Sequence, residues 1–229
     1  MTGFRWHDGD LVADGLACRR GDRLIFRGLG CVLSAGGALV LTGVNGSGKS
    51  SLLRLLATLL IPAAGRVMWC GAPVADDLAR YRASSHYVGH LDAIKPAFGV
   101  RETLEFWAGM RGSSEPRVDD ALTAFGLDGI ADWPCRWLSA GQRRRLALAR
   151  LIAAPAPLWL LDEPTVSLDS DGERRLVAAI EAHRGVGGRI AVATHQPMAL
   201  AEANVLAVDD FSTIPPGHGG PPDDPFAGI

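Results

Sequence analysis

Residues 43–50 are the segment whose residue types and spacing most directly indicate a chemistry. They read Gly-Val-Asn-Gly-Ser-Gly-Lys-Ser and fit the pattern G-x-x-x-x-G-K-[ST] at every fixed position. The glycines allow the backbone to curl so that successive N–H groups point at phosphate oxygens. In this pattern the lysine reaches the β- and γ-phosphates and the serine hydroxyl ligates Mg²⁺. The segment therefore predicts a nucleoside triphosphate site. The residues predicted to contact the nucleotide are Gly43, Asn45, Gly46, Ser47, Gly48, Lys49, Ser50 and Ser51.

The flanking sequence supplies the elements that must position this loop. Residues 38–41 are an apolar run that predicts a buried strand, and leucines recur at three and four residues from Leu52 to Leu60. The loop is thus predicted to lie between a strand and a helix, whose positive N-terminal end also favours phosphate. An ordinary glycine-rich turn is the alternative, and this context makes it the less favoured one.

A second candidate set is the acidic pair Asp162 and Glu163, which follows the apolar run 158–161. A strand that ends in carboxylates beside a phosphate loop places them at the carboxyl edge of the sheet. Asp162 is predicted to hold Mg²⁺ opposite Ser50, and Glu163 to accept a proton from an attacking water. The alternative is a solvated acidic pair at a strand end.

A third set is residues 138–142, Leu-Ser-Ala-Gly-Gln, followed by three arginines. Ser139 is a good N-cap, and Gly141 allows close backbone approach, so the segment predicts a second anion site at a helix start. Binding of a nucleotide at residues 43–50 does not require this second site. A phosphate bound at residues 138–142 must therefore come from elsewhere. A capped helix with a basic first turn is the alternative.

Composition restricts the remaining possibilities. The chain has 229 residues, 48% of them hydrophobic, and a net charge of −2, so no nucleic-acid partner is expected. Its four cysteines form no Cys-x-x-Cys pair, and we expect them to be small buried residues of a cytosolic protein. The sequence contains neither a continuous apolar stretch of membrane-spanning length nor a signal peptide, so contact with a membrane is expected only through a partner.

The order of predicted elements indicates an α/β fold with a mostly parallel sheet. Residues 11–33 predict an antiparallel hairpin, an N-terminal β subdomain, and residues 92–155 predict an inserted helical subdomain. We expect one domain over residues 1–210. The tail, residues 211–229, is rich in proline and glycine and is expected to be disordered.

Five ordered segments resemble the nucleotide-binding subunits of ABC transporters: residues 43–50, 138–142, 160–164, 167–169 and 194–195. The resemblance implies a P-loop NTPase fold with a RecA-like core and ATP hydrolysis with Mg²⁺. It also implies a head-to-tail homodimer in the ATP-bound state, in which Ser139, Gly141 and Gln142 of one copy face the γ-phosphate bound by the other. His195 is implied to contact the γ-phosphate and to position Glu163 and the water. Lys49 is implied to act in catalysis, and Asp169 to lie at the dimer contact.

Two positions depart from the family pattern. His90 stands where the family usually has glutamine, and because imidazole changes charge near neutrality, turnover is predicted to be more acid-sensitive than with glutamine. His90 capping a loop is the alternative. The aromatic residue that stacks on adenine should fall near Arg20. Either the Arg20 guanidinium or Phe26 could substitute for it.

Within the family, residues 16–21, 67–71 and 88–90 resemble ATP-binding subunits of haem export and cytochrome c maturation. This resemblance implies integral membrane partner subunits and a peripheral position on the cytoplasmic face of the inner membrane. No Cys-x-x-Cys-His occurs, so no direct haem binding is expected. The insert is implied to receive the membrane partner, and Trp107, Trp133 and Trp137 within it either pack in its core or meet that partner. Alternatives are another exporter ATPase, for drugs or polysaccharide, a soluble ABC protein acting on DNA or ribosomes, and a regulator without turnover.

Overall fold

Two β-sheets and six α-helices make up the computed structural model, which describes residues 6, 9–113, 116–196 and 198–213. The strands are β1 Leu11–Arg20, β2 Arg23–Leu33, β3 Ala38–Thr42, β4 Ala64–Trp69, β5 Ala72–Pro73, β6 Ser85–Val88, β7 Leu158–Asp162, β8 Arg189–Ala193 and β9 Asn204–Ala207. The helices are α1 Lys49–Leu56, α2 Leu78–Ala83, α3 Val100–Met110, α4 Val118–Ala124, α5 Ala140–Ala153 and α6 Ser170–Gly185. Short 3₁₀ turns are Val74–Asp76, Asp128–Ile130, Cys135–Trp137 and Val208–Phe211.

The antiparallel sheet has the strand order β2-β1-β4-β5. Its β1–β2 hairpin closes between Arg20 and Arg23, with Gly21 at a φ of 55° that suits glycine. The predicted hairpin and N-terminal β layer are confirmed. Next to β1, a side chain at Gly65 would collide with the carbonyl oxygens of Asp14 and Gly15, so β4 can approach β1 only because that residue is glycine.

The parallel sheet has the order β6-β7-β8-β3-β9, and every neighbouring pair runs parallel. All residues of β7 and β8 are buried, as expected for strands covered on both faces. Because these strands run parallel, β3, β7 and β8 end at the same edge. That edge therefore carries Asp162 at the end of β7 and the three segments that begin at residues 43, 163 and 194. The predicted α/β class with a mostly parallel sheet is confirmed.

Two apolar cores cover the two faces of this sheet. In β7, Leu158 and Leu160 belong to a core shared with α1 and the antiparallel sheet. Trp159 and Leu161 face the opposite way, into a core shared with α3, α4, α5 and α6. Successive residues of β7 alternate between the two cores with the period of two that a strand imposes. Both layers therefore pack against the strand that ends at the acidic pair.

The region predicted as a helical insert contains α3, α4 and α5, with the predicted breaks near residues 112–116 and at Gly126. The domain limits at residues 210 and 211 stay a prediction. At the start of the predicted tail, the Thr213 amide donates to the Ile25 carbonyl at 3.0 Å, so residues 211–213 lie along β2. Residues 214–229 of the predicted tail lie outside the described residues.

The cysteines only partly match the expectation of burial. Cys18 and Cys135 are buried and Cys31 is partly buried, whereas Cys70 is exposed. The expectation was wrong for Cys70 because this residue forms the turn between β4 and β5, with a φ of 52°, where the side chain leaves the sheet.

Candidate active site

The loop between β3 and α1 has the shape of an anion cradle. Gly43, Gly46 and Gly48 have φ values of 140°, 85° and 103°, which an L side chain rarely adopts. The buried Lys49 side chain folds back, and its Nζ donates to the Gly43 carbonyl at 2.7 Å and the Val44 carbonyl at 3.2 Å. These carbonyls hold the ammonium group next to the loop, where a phosphate would compete for it.

The space in this loop fits phosphate oxygens. Within the described residues, the buried Ser47 Oγ has no hydrogen-bond partner, which is costly unless a ligand or water supplies one. A side chain at Gly48 would come within 2.8 Å of Ile25 and 2.9 Å of Phe26, so only glycine keeps the loop against β2. The loop leads directly into the eight-residue α1, whose first amides have no intrahelical acceptors.

Ser50 and Asp162 meet across the floor of the site. The Ser50 hydroxyl donates to Asp162 Oδ1 at 2.8 Å, and the Tyr87 hydroxyl donates to Asp162 Oδ2 at 3.3 Å. Asp162 is 2% exposed, and burial raises the pKa of its carboxyl group, against which the hydrogen bonds from Ser50 and Tyr87 act. A hydroxyl and a carboxylate are oxygen ligands of the type that Mg²⁺ prefers, and this ion takes its other ligands from phosphates and water. The pair can therefore hold Mg²⁺.

Glu163 and His195 form the second pair at this edge. His195 Nδ1 lies 2.9 Å from Glu163 Oε1, and because a carboxylate only accepts, Nδ1 carries the proton when they bond. The other carboxylate oxygen, Oε2, is buried and has no hydrogen-bond partner within the described residues. Glu163 also has a φ of 47°, an unusual conformation for a residue with a side chain. An acceptor oxygen with spare capacity, beside a phosphate cradle, can orient water or take its proton.

Ser139, Gly141 and Gln142 lie together at the start of α5. The Gln142 amide donates to Ser139 Oγ at 3.2 Å, and the Ser139 amide donates to Gln142 Oε1 at 2.8 Å, which is a capping box. The capped-helix alternative is thus present, and an anion role for the segment stays a prediction. A side chain at Gly141 would approach the Ser167 carbonyl to 3.0 Å, so the glycine permits close contact with the loop after Glu163.

The remaining predicted residues are placed as follows. His90 is exposed just after β6, and Asn45 is exposed at the tip of the loop. The Ser51 side chain bonds to the Cys18 thiol, on the side of β1. Phe26 is fully buried in the core, so its proposed stacking on adenine is wrong, and Arg20 is left as the candidate. Asp169 caps α6 by accepting from the Gly172 amide at 2.8 Å.

The three tryptophans behave differently. Trp107 is half-buried under the Arg150 guanidinium, 4.5 Å from its ring centre. Trp133 and Trp137 are 43% and 61% exposed and contact each other edge to face at 6.3 Å. Trp107 thus packs within the insert against Arg150 and Phe106, whereas Trp133 and Trp137 lie on the surface.

Three further residues contact the site and were not predicted from the sequence. Asp209 accepts from the Val44 amide at 3.0 Å and so fixes the start of the loop. Tyr87 supports Asp162, and the Arg144 side chain reaches the carbonyls of residues 162–164. Alternation on β6 could have pointed to Tyr87 as facing the same way as Ser85, but nothing local marks the other two.

A glycine cradle on a strand–helix junction, with paired carboxylates at the carboxyl edge of a parallel sheet, defines the class of P-loop nucleotide-binding ATPases. The family model described as ABC transporter matches residues 26–166. A cytochrome c biogenesis ATP-binding export protein CcmA from Rhodospirillum rubrum is 54% identical over 214 residues, covering 93% of this chain and 92% of the relative. The chain belongs to the ABC transporter family and, within it, to the CcmA group of ATP-binding proteins.

Solved structures agree on the fold. The ATP-binding subunit of an ABC transporter superposes with a TM-score of 0.79 at 22% identity, covering 87% of this chain and 86% of that one. A dimeric bacterial ABC transporter cassette superposes with a TM-score of 0.74 at 21% identity, covering 87% and 95%. Of the helices in the described part of the chain, none has the length and apolar character needed to cross a membrane.

Proposed function

We propose that this chain is the ATP-hydrolysing subunit of an ABC transporter that energises a membrane complex for haem export and cytochrome c biogenesis. The observation that carries the hydrolytic part is the Glu163–His195 pair, 2.9 Å apart, at the sheet edge shared with the phosphate loop. The cytochrome c part is supported by the name of the Rhodospirillum rubrum relative, whose likeness extends over 93% of this chain.

In the proposed binding step, the phosphates of ATP occupy the loop of residues 43–50. Backbone amides and the start of α1 face them, and Ser47 Oγ gains the partner that it lacks within the described residues. Lys49 Nζ exchanges its two carbonyl acceptors for phosphate oxygens. Mg²⁺, when held by Ser50 and Asp162, neutralises charge on the phosphates. Arg20 is the proposed support for adenine.

In the proposed hydrolytic step, Glu163 takes a proton from water as the water oxygen bonds to the γ-phosphorus. The bond from that phosphorus to the bridging oxygen breaks, giving ADP and phosphate. His195 holds the Glu163 carboxylate through Nδ1 and directs its other ring nitrogen to the γ-phosphate. Catalysis of this kind depends mainly on position and charge stabilisation, which is what the fixed sheet edge and the clamped carboxylate provide.

A second copy of the chain is proposed to complete each site. Ser139, Gly141 and Gln142 lie at the start of α5, where Ser139 is exposed and the other two are partly exposed. They are proposed to meet the γ-phosphate held by the other copy, with Asp169 at the contact and His90 beside the same phosphate. A solved relative of the same fold is itself a dimeric cassette.

The proposed membrane partners are the integral subunits of a cytochrome c maturation complex, with this chain on the cytoplasmic face of the inner membrane. The exposed Trp133 and Trp137 offer an apolar contact for such a subunit on the helical region. Neither nucleic acid nor direct haem binding belongs to the proposal.

The hydrolytic part is tested by phosphate release from the chain purified with its membrane subunits. We expect Mg²⁺-dependent turnover that is lost in Glu163→Gln and Lys49→Ala and retained in Glu202→Gln, a matched change of an exposed glutamate. With ATP and Mg²⁺, Glu163→Gln should have the mass of a complex holding two copies. A single copy under these conditions, or turnover that survives Glu163→Gln, would contradict the proposal.

The cytochrome c part is tested by genetic replacement. The chain is expressed in a bacterium that lacks its own CcmA, and haem-stained c-type cytochromes are measured. Wild type should restore them and Glu163→Gln should not. Turnover without restored cytochromes would instead favour another exporter, and the membrane subunit that co-purifies would identify its class.

A further inference from the structure

Arg144 is a buried arginine on the first turns of α5, two residues after Gln142, and it is 2% exposed. A guanidinium group carries five N–H donors in a rigid plane. Five hydrogen bonds account for that capacity. Nε donates to the Pro164 carbonyl at 3.2 Å, Nη1 to the Gly89 carbonyl at 2.9 Å and to Asp92 Oδ1 at 3.2 Å, and Nη2 to the carbonyls of Asp162 at 3.1 Å and Glu163 at 2.8 Å.

The acceptors belong to two segments that are far apart in sequence. One is the end of β7 and the two residues after it, which carry the acidic pair. The other is residues 89–92, the loop after β6 that carries His90. Arg144 thus connects α5, the acidic pair and this loop through one side chain. Its charge is balanced by Asp92, and the four carbonyl dipoles supply the solvation that burial removes.

Glu163 depends on this contact for its backbone conformation. At a φ of 47° a residue with a side chain is strained, and such a conformation persists only where surrounding contacts hold it. The Glu163 amide donates to the Ala193 carbonyl at 2.9 Å, and the Glu163 carbonyl accepts from Arg144 at 2.8 Å. The backbone is therefore held on both sides, and the side chain is aimed at His195.

We propose that Arg144 is a positioning residue for hydrolysis, which sets the direction of the Glu163 carboxylate and ties it to the helix that begins with Ser139. The inference rests on the proposed function, because it assigns a role toward the same hydrolytic site. Through Arg144, a movement of α5 against a second copy is transmitted to the acidic pair and to the His90 loop. A nucleotide can occupy the phosphate loop without this connection, since among the residues that the structure describes Arg144 bonds to none of residues 43–51.

The side chain at this position has to be arginine. Lysine offers three donors from a single nitrogen, whereas the acceptors here lie on two sides of a planar fork. Arg144→Lys keeps a positive charge near Asp92 but cannot serve the carbonyls of Gly89 and Glu163 together. The variant therefore removes positioning while it preserves charge.

The test compares Arg144→Lys with Arg184→Lys in the complex with its membrane subunits. Arg184 is a matched control, since its side chain is only 10% exposed and bonds to Gly36, Glu181 and Ala201. We expect kcat of Arg144→Lys to fall about 10- to 100-fold, the range that a small misplacement of a reacting group produces. The affinity for a fluorescent ATP analogue should stay within about threefold of wild type, because Lys49 and its loop are untouched.

A second measurement does not depend on turnover. Amide hydrogen exchange of peptides covering residues 161–168 should be faster in Arg144→Lys, and that of residues 43–56 unchanged. Arg184→Lys should resemble wild type in both regions. If Arg144→Lys only destabilised the fold, amide exchange would instead rise across both cores, and nucleotide affinity would fall together with kcat, which would contradict the positioning role.

The outcomes separate the inference from the proposed function. If wild type hydrolyses ATP and Arg144→Lys matches it in kcat and exchange, the positioning role is overturned. If wild type shows no turnover, the proposed function fails, and exchange at residues 161–168 alone decides whether Arg144 holds Glu163. If Arg144→Lys does not fold, Arg144→Gln takes its place, because its amide keeps two N–H donors and cannot serve the five acceptors; unchanged kcat and unchanged exchange at residues 161–168 in that variant would overturn the role.

Discussion

Two buried histidines make the stability of this chain sensitive to acid. His86 on β6 is 4% exposed, its Nε2 lies 2.6 Å from the Ala154 carbonyl, and burial, followed by the charge of Arg111, lowers its pKa to about 3. His183 on α6 is 7% exposed and stacks on Trp159 with ring centres 3.9 Å apart, and burial lowers its pKa to about 4. Both rings are therefore neutral in the folded chain at any pH above about 5.

The size of the effect follows from linkage. A histidine in the unfolded chain has a pKa near 6.5, so below that pH the unfolded state takes up protons that the folded state refuses. The free energy of unfolding is unaffected above about pH 7.5 and falls as pH decreases from about 6.5 toward the folded pKa values. At pH 5 each histidine lowers the free energy of unfolding by about 2 kcal/mol, and the two together lower it by about 4 kcal/mol. That is a large part of the roughly 5–15 kcal/mol typical of a domain.

Urea unfolding followed by circular dichroism at pH 7.5 and 5.0 measures this loss. His86→Gln and His183→Gln each replace an imidazole by a neutral amide that does not titrate. Each variant should lose about 2 kcal/mol less than wild type between the two pH values, and the double variant about 4 kcal/mol less. Lower absolute stability of the variants at pH 7.5 does not affect the comparison. Equal losses in wild type and the double variant would refute the reasoning, because some other group would then carry the acid sensitivity.

Three further changes address the site itself. Gly48→Ala forces a side chain into a φ of 103° and against Phe26, so we expect at least about tenfold weaker binding of a fluorescent ATP analogue and about 2 kcal/mol lower stability in urea. Tyr87→Phe removes the donor to Asp162 Oδ2, and we expect several-fold more Mg²⁺ for half-maximal turnover but unchanged ATP binding without Mg²⁺. Because burial raises the pKa of Asp162, Mg²⁺ affinity should decline on acidification at a higher pH than for an exposed aspartate; a Mg²⁺ affinity followed from pH 7.5 downward that declines no earlier than for an exposed aspartate would contradict this.

The parts of the site that the sequence predicted are contiguous in the chain. The loop of residues 43–50 and the run into Asp162 each place a strand next to the residues that act, so local pattern and local chemistry give the same answer. Because such strands were expected to run parallel, their carboxyl ends were predicted to lie together. In the structure β3 and β7 do end at one edge. Glu163 and His195 meet for the same reason, although they are 32 residues apart.

Contacts set by tertiary packing could not be predicted in this way. Asp209 lies 165 residues after Val44, and only the position of the last strand in the sheet brings them to 3.0 Å. Arg144 is one of three consecutive arginines with identical local chemistry, and only the rotation of α5 buries this one. The prediction that Phe26 stacks on adenine was wrong because Phe26 lies on the buried face of β2. Which face of β2 is buried depends on the elements that pack against it, and the sequence of β2 alone does not indicate this.

The components of the site differ in how firmly a single copy holds them, and the difference has a mechanistic meaning. Lys49 and Asp162 are buried and hydrogen-bonded, so the binding of phosphate and metal is organised in advance. His195 is exposed over 52% of its side chain, and Ser139 is exposed at the start of α5. Groups that remain solvated cannot stabilise a transition state strongly until something excludes water from them. The proposed second copy would do this at the same moment as it presses on α5, so that closure and the alignment of Glu163 through Arg144 become one event.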